Sequence, residues 1–178
     1  MTPSRLLALL LLPLSAMATE SAFPPTAPGT AELKTLPAGV LLKASARGDY
    51  FEQNGRLFRP LFNYIASRDI KMTVPVEATI DGAAMAFWVG RNEQAKVTGP
   101  DRQVEVIEIP ERHVASRGAR GGYSRANFEK TRAELEAWLQ DQPGVEATGP
   151  AYAVYWHGPY VPWFAKAYEV HIPVRNRE

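Results

Sequence analysis

The sequence predicts an α+β domain built from two β-α-β-β units, eight strands in all, with two helices packed on the sheet. Three observations predict it. Residues 70–80 are rich in β-branched side chains and end at Asp81-Gly82, a hairpin turn signal, after which Met85-Ala86-Phe87-Trp88-Val89 returns. Two segments further repeat their apolar residues at helical spacing: Leu57, Phe58, Leu61, Phe62 and Ile65, then Phe128, Thr131, Leu135, Trp138 and Leu139. Finally, a 73-residue offset matches Pro37 to Pro110, Ala46-Arg47-Gly48 to Ala119-Arg120-Gly121, Tyr50 to Tyr123 and Asn54 to Asn127. Two such units are expected to pack about a pseudo-twofold, each completing the core of the other. The groove between them is then a natural ligand site.

The elements follow in chain order. Arg5, the apolar residues 6–14 and Ala16-Met17-Ala18 compose a secretory signal peptide cut after Ala18. This gives a periplasmic or secreted protein with no transmembrane span in its mature form, because no apolar run reaches about 18 residues. Residues 19–35 hold Pro24, Pro25, Pro28 and Gly29 and read as a flexible or extended linker. The folded domain is expected over residues 36–178. Residues 40–46 are the first strand. The first helix is expected over residues 56–66, because Pro60 fits a helix only in its first turn. Pro75 lacks the N–H that a central strand donates, so the strand around it lies at an edge or is broken there. Residues 104–116 form a strand interrupted at Pro110. Ser124 is an N-cap for the second helix, which Pro143-Gly144 stops. Residues 152–157 and 166–174 are the last two strands, joined by a loop rich in proline and aromatic residues.

Charge and cysteine content narrow the function. The chain carries 20 basic and 19 acidic residues, and cleavage removes Arg5, which balances them. A neutral chain without a basic run argues against a nucleic-acid partner. The absence of cysteine excludes disulfides, zinc–thiolate sites and Cys-x-x-Cys-His haem attachment.

Met72-Thr73-Val74-Pro75-Val76 after a helix resembles the hallmark of the SOUL/haem-binding protein family. Tyr155-Trp156-His157-Gly158-Pro159-Tyr160-Val161-Pro162-Trp163-Phe164, followed by Glu169-Val170, resembles its C-terminal hairpin. The resemblance runs from about residue 36 to 174. It implies a distorted eight-stranded antiparallel sheet or barrel flanked by two helices, and noncovalent binding of haem or another tetrapyrrole. In the family, the first helix and the C-terminal loop flank the proposed pocket. That places Phe58, Leu61, Phe62 and Ile65 on one side, and Tyr160, Trp163 and Phe164 on the other. The loop aromatics are the stronger candidates, since loops lie at the surface and the helix stripe is equally explained as core. Arg56, Arg59 and Lys166 are suitably placed for propionates. Among the histidines, His157 has the best positional claim on iron, His113 lies near a strand end, and Met72 is a weaker axial candidate. His171 alternates opposite Val170, Ile172 and Val174 and is expected on a solvated sheet face. Where the family carries Arg-Arg-Asn before Glu-Val, this chain has Lys166-Ala167-Tyr168.

Two other functional classes remain open at this point. Neither Gly-x-Ser-x-Gly nor His-Glu-x-x-His occurs. A hydrolase of small hydrophobic molecules would therefore need a carboxylate base. Effector-binding domains of the gyrase-inhibitor kind share the two-repeat fold and place one in the central groove, and that resemblance points to Glu169. An exposed strand glutamate explains the same residue. The third class is a non-catalytic module for an effector or a protein partner.

Overall fold

The protein is described by a computed structural model covering residues 20–177. The expected signal peptide, residues 1–18, lies outside the described residues. The elements are β1 (Glu20–Ser21), β2 (Ala31–Leu36), β3 (Gly39–Ser45), α1 (Tyr50–Ser67), β4 (Thr73–Val74), β5 (Val76–Thr79), β6 (Ala84–Val89), β7 (Glu105–Ile109), β8 (Arg112–Arg120), α2 (Arg125–Gln140), β9 (Val145–Ala147), β10 (Tyr152–Tyr155) and β11 (Ala167–Asn176). Short 3₁₀ turns occupy Arg91–Lys96 and Trp163–Ala165.

Eight strands form one curled antiparallel half-barrel in the order β2-β8-β11-β10-β5-β6-β3-β7, and β9 adds to the end of β11. With two main helices, the fold is α+β. The strand order reads the same backwards when β2, β3, β5 and β6 are exchanged for β7, β8, β10 and β11. That symmetry is one of connectivity. Gly48 and Gly121 both take positive φ, +101° and +132°, and each lies shortly before a helix. A side chain with a Cβ is strained there.

Alternation along the strands gives the sheet two faces, and both are buried. Leu42, Met85, Phe87, Val170 and Ile172 face the helices. There they meet Leu57, Leu61, Tyr64 and Ile65 of α1, with Phe128, Leu135 and Leu139 of α2 in the same core. Leu41, Trp88, Val114, Tyr152 and Val154 form a second cluster with Phe23.

Several sequence expectations need correction. Helix α1 runs from Tyr50 and carries Pro60 well inside it, after an N-cap by Asp49 that accepts from Phe51 N–H at 2.7 Å. Pro60 has no N–H to give the Arg56 carbonyl one turn earlier, and Arg56 lies on the exposed side of the helix. The strand at Pro75 is broken as expected, yet β5 beyond it is central, between β10 and β6. Residues 31–36, expected within the linker, are the strand β2, and residues 20–29 pack onto the sheet. The α2 cap is as the sequence indicates: Ser124 Oγ accepts from Asn127 N–H at 3.2 Å.

Candidate functional site

Five of the six large apolar side chains exposed among the described residues are Phe58, Phe62, Tyr160, Trp163 and Phe164; Leu33 is the sixth. Single exposed apolar residues are ordinary, but Phe58 with Phe62 and Trp163 with Phe164 are exposed as neighbouring pairs. Local geometry explains the helix pair. Leu57, Leu61 and Ile65 occupy the sheet-facing stripe of α1. Phe58 and Phe62 are turned about 100° from it, one helical turn apart on the flank. Their rings stack at 5.8 Å, and Phe58 also packs edge-on to Phe87 at 5.4 Å.

Strand register ties this pair to the loop. Phe87 is opposite Val76, and Val76 is opposite Tyr155, the last residue of β10. Facing residues in an antiparallel sheet share a face, so the chain leaves β10 at the level of the Phe58–Phe87 contact. It then forms the loop of residues 156–166. A 3₁₀ turn presents Trp163 and Phe164, whose rings meet edge-on at 5.9 Å. Gly121 N–H donates to the Lys166 carbonyl at 3.1 Å and pins the loop's end. The Lys166 ammonium lies 4.8 Å from the Tyr123 ring centre. The Tyr123 hydroxyl accepts from His157 N–H at 2.9 Å and donates to the Ala167 carbonyl at 3.1 Å. Burial pushes that phenol up to about 12, so it stays protonated.

The predicted set therefore divides. Phe58 and Phe62 are exposed on the flank of α1, and Tyr160, Trp163 and Phe164 are exposed on the β10–β11 loop, which ends at Lys166. Leu61 and Ile65 are buried beneath, in the core. His157 is half-buried at the loop's mouth, and its Nδ1 accepts from Ala167 N–H at 3.0 Å, which leaves Nε2 for other partners. Met72 is half-buried against the core, and His113 is exposed. Among the described residues, no three His, Cys, Asp or Glu side chains gather as a metal site.

Glu169 and His171 belong to the opposite face, and the expectation that this face is solvated is wrong. They are 1% and 0% exposed. Residues 22–28 cover them, which strand periodicity cannot reveal. Glu169 Oε1 accepts from Thr26 N–H and Trp156 Nε1–H, each at 2.8 Å. Its Oε2 accepts from Ser116 Oγ at 2.9 Å, His171 Nε2 at 2.6 Å and Lys34 Nζ at 3.4 Å. Burial by itself would raise this carboxyl. The hydrogen bond from His171, the nearby His171 and Lys34, and the Thr26 N–H outweigh burial and hold it at about 2. Complete burial lowers His171 despite Glu169. The imidazole is therefore neutral, with Nε2–H donating to Glu169 and Nδ1 accepting from the Tyr152 hydroxyl at 3.2 Å. A carboxylate this acidic and this fully bonded is a fixed anion. A second carboxylate, Glu77, accepts from Trp88 Nε1–H at 3.0 Å and Arg112 at 2.7 Å on the same face. The sequence reading missed Phe23, Lys34, Trp88 and Ser116 here.

Comparisons with known proteins agree with this fold. Residues 23–173 match the family model of the SOUL heme-binding protein. No curated protein matches the chain significantly. Among solved structures, EcmrR in its DNA complex superposes with a TM-score of 0.67 at 14% identity, covering 82% of this chain and 57% of that one. This chain thus spans a little over half of that protein's length. The EcmrR C-terminal domain alone gives 0.64 at 15% identity, with 82% and 97% covered. A hydrolase from Listeria innocua gives 0.58 at 15% identity, with 84% and 94% covered. At such identities the likeness is one of fold.

Proposed function

Because the chain belongs to the SOUL heme-binding protein family, we propose that it binds haem or a related tetrapyrrole noncovalently, between α1 and the β10–β11 loop. The observation that supports this is the exposure of five aromatic side chains on those two elements: Phe58 and Phe62 on α1, and Tyr160, Trp163 and Phe164 on the loop. A porphyrin is a broad flat apolar plate with two carboxylates at one edge. Stacked and edge-on aromatic rings suit its faces. Lys166, at the loop's end, is the cation this reading assigns to its propionates; Arg56 and Arg59, expected for the same role, instead line a cleft with residues 44–47 and 101–105. Bound haem would supply an iron that takes axial ligands, and the half-buried His157 imidazole at the loop's mouth is the candidate for one. His171 is excluded from that role, because both ring nitrogens are bonded inside the protein.

The alternative of a hydrolase with Glu169 as base finds less support. A general base needs a pKa near the working pH and a lone pair facing its proton. Glu169 is held at about 2 and accepts from five donors.

The test is a Soret titration of the chain from Thr19 to Glu178. Burying one large aromatic contributes on the order of 2–3 kcal/mol, and about 1.4 kcal/mol is tenfold in affinity. Trp163→Ala is expected to weaken haem binding about tenfold or more, with unchanged circular dichroism. His113→Ala and His157→Ala are expected to weaken it less. If His157→Ala abolished binding while Trp163→Ala bound normally, axial ligation would replace the aromatic crevice as the source of affinity.

A further inference from the structure

Residues 22–29 cross the sheet face opposite the helices as an extended strap. Part of its attachment is that of an added strand. Ala22 N–H donates to the Val74 carbonyl and Gly29 N–H to the Gly118 carbonyl, both at 2.8 Å. The rest is side-chain recognition. The Phe23 ring is buried edge-on to Trp88 at 5.6 Å and to Trp156 at 5.5 Å. The Lys34 ammonium lies 5.6 Å from the same ring centre and donates to the Pro24 carbonyl at 3.0 Å. Two residues on, Thr26 N–H donates to the buried Glu169 carboxylate at 2.8 Å.

A hydrophobic cap on this face would need none of those charges. Burying Glu169 and Lys34 costs desolvation that a well-packed apolar surface avoids. The polar groups present match the features of an extended peptide: an aromatic ring, a carbonyl next to it and an N–H further along. Pro24, Pro25 and Pro28 keep such a segment extended before it binds. Main-chain pairing combined with a side-chain pocket is a standard mode of peptide capture.

We propose that this face is a peptide-binding groove for an extended aromatic-Pro-Pro-Thr segment, filled in this structure by the chain's own residues 22–26. It lies on the face opposite the helices and meets the β10–β11 loop only at Trp156, the loop's first residue. A segment supplied by another protein competes with the strap. The strap, being tethered, holds a high effective concentration and keeps out weak peptides.

Two full-chain variants open the groove by different routes. A Cβ at Gly118 would strike the Thr26 carbonyl oxygen and sit 2.6 Å from that of Ala27, so Gly118→Ala lifts the strap with every groove side chain in place. Phe23→Ala removes the anchor. The probe is the capped peptide Ala-Phe-Pro-Pro-Thr-Ala, followed by calorimetric titration. Both variants are expected to bind it saturably and at least about tenfold more tightly than the parent. A peptide with alanine in place of its phenylalanine is expected to bind them at least about tenfold more weakly. Folded variants that ignore the peptide, or bind it regardless of its ring, overturn the proposal. Failure of both variants to fold also overturns it, because the strap is then an inseparable part of the core.

Discussion

Glu169 and His171 sit two residues apart on β11 and share one hydrogen bond of 2.6 Å inside the protein. Their alternation against Val170 and Ile172 is legible in the sequence. Their burial is not, because Phe23 and Thr26 arrive from a segment more than 140 residues earlier. Both groups make the fold acid-sensitive, with the same sign. His171 titrates below its ordinary 6.5 in the folded state, so the unfolded chain takes up that proton first and stability declines as pH falls below 6.5. Glu169 is held at about 2 against an ordinary 4.5, so its contribution is complete above 4.5 and is lost as pH falls towards 2. Urea midpoints between pH 8 and pH 3 are expected to fall in two stages. His171→Gln is expected to remove the upper stage and keep the lower one. A parent midpoint flat from pH 7 to pH 5 would contradict a neutral buried His171.

At the scale of elements, local signals placed most boundaries. Ser124, Pro143-Gly144, Asp81-Gly82 and Pro110 mark ends that the structure keeps. Helix α1 begins at Tyr50, six residues earlier than a first-turn Pro60 would place it, because Asp49 caps it and its first turns pack through Tyr50. β2 escaped notice for a different reason. It is an edge strand paired only with β8, and Leu33 points outward, so its periodicity is weak. Pro60 inside α1 leaves the Arg56 carbonyl without a helical donor. A proline in a helix interior costs about 3 kcal/mol, offset by up to about 1 kcal/mol from its stiffening of the unfolded chain. Solvation of that carbonyl recovers part of the rest. Pro60→Ala is therefore expected to raise unfolding free energy by about 1–2 kcal/mol, measured by urea denaturation at constant m-value. A loss of stability would mean that the proline ring's packing outweighs the missing bond.

At the scale of the molecule, the two sets of elements exchange within one strand order, a symmetry of connectivity alone. The candidate surface was legible only in part. The exposure of the loop aromatics was legible because loops lie at the surface, whereas helical spacing could not separate Phe58 and Phe62 on the flank from Leu61 and Ile65 in the core. We propose that the protein acts after export. Intact mass of the chain recovered from an exporting host is expected to begin at Thr19, and a mass beginning at Met1 would remove the periplasmic or secreted assignment. The central claim is that one flat ligand touches both flanks of the surface. A double-mutant cycle in haem affinity tests this most directly, using Phe62→Ala, Trp163→Ala and the double variant. Groups that share a rigid ligand couple by roughly 0.5–3 kcal/mol. The account predicts that each single variant weakens the Soret titration and that the double variant loses less than the two losses combined. Strict additivity, or normal binding by either single variant, would contradict a ligand spanning α1 and the loop.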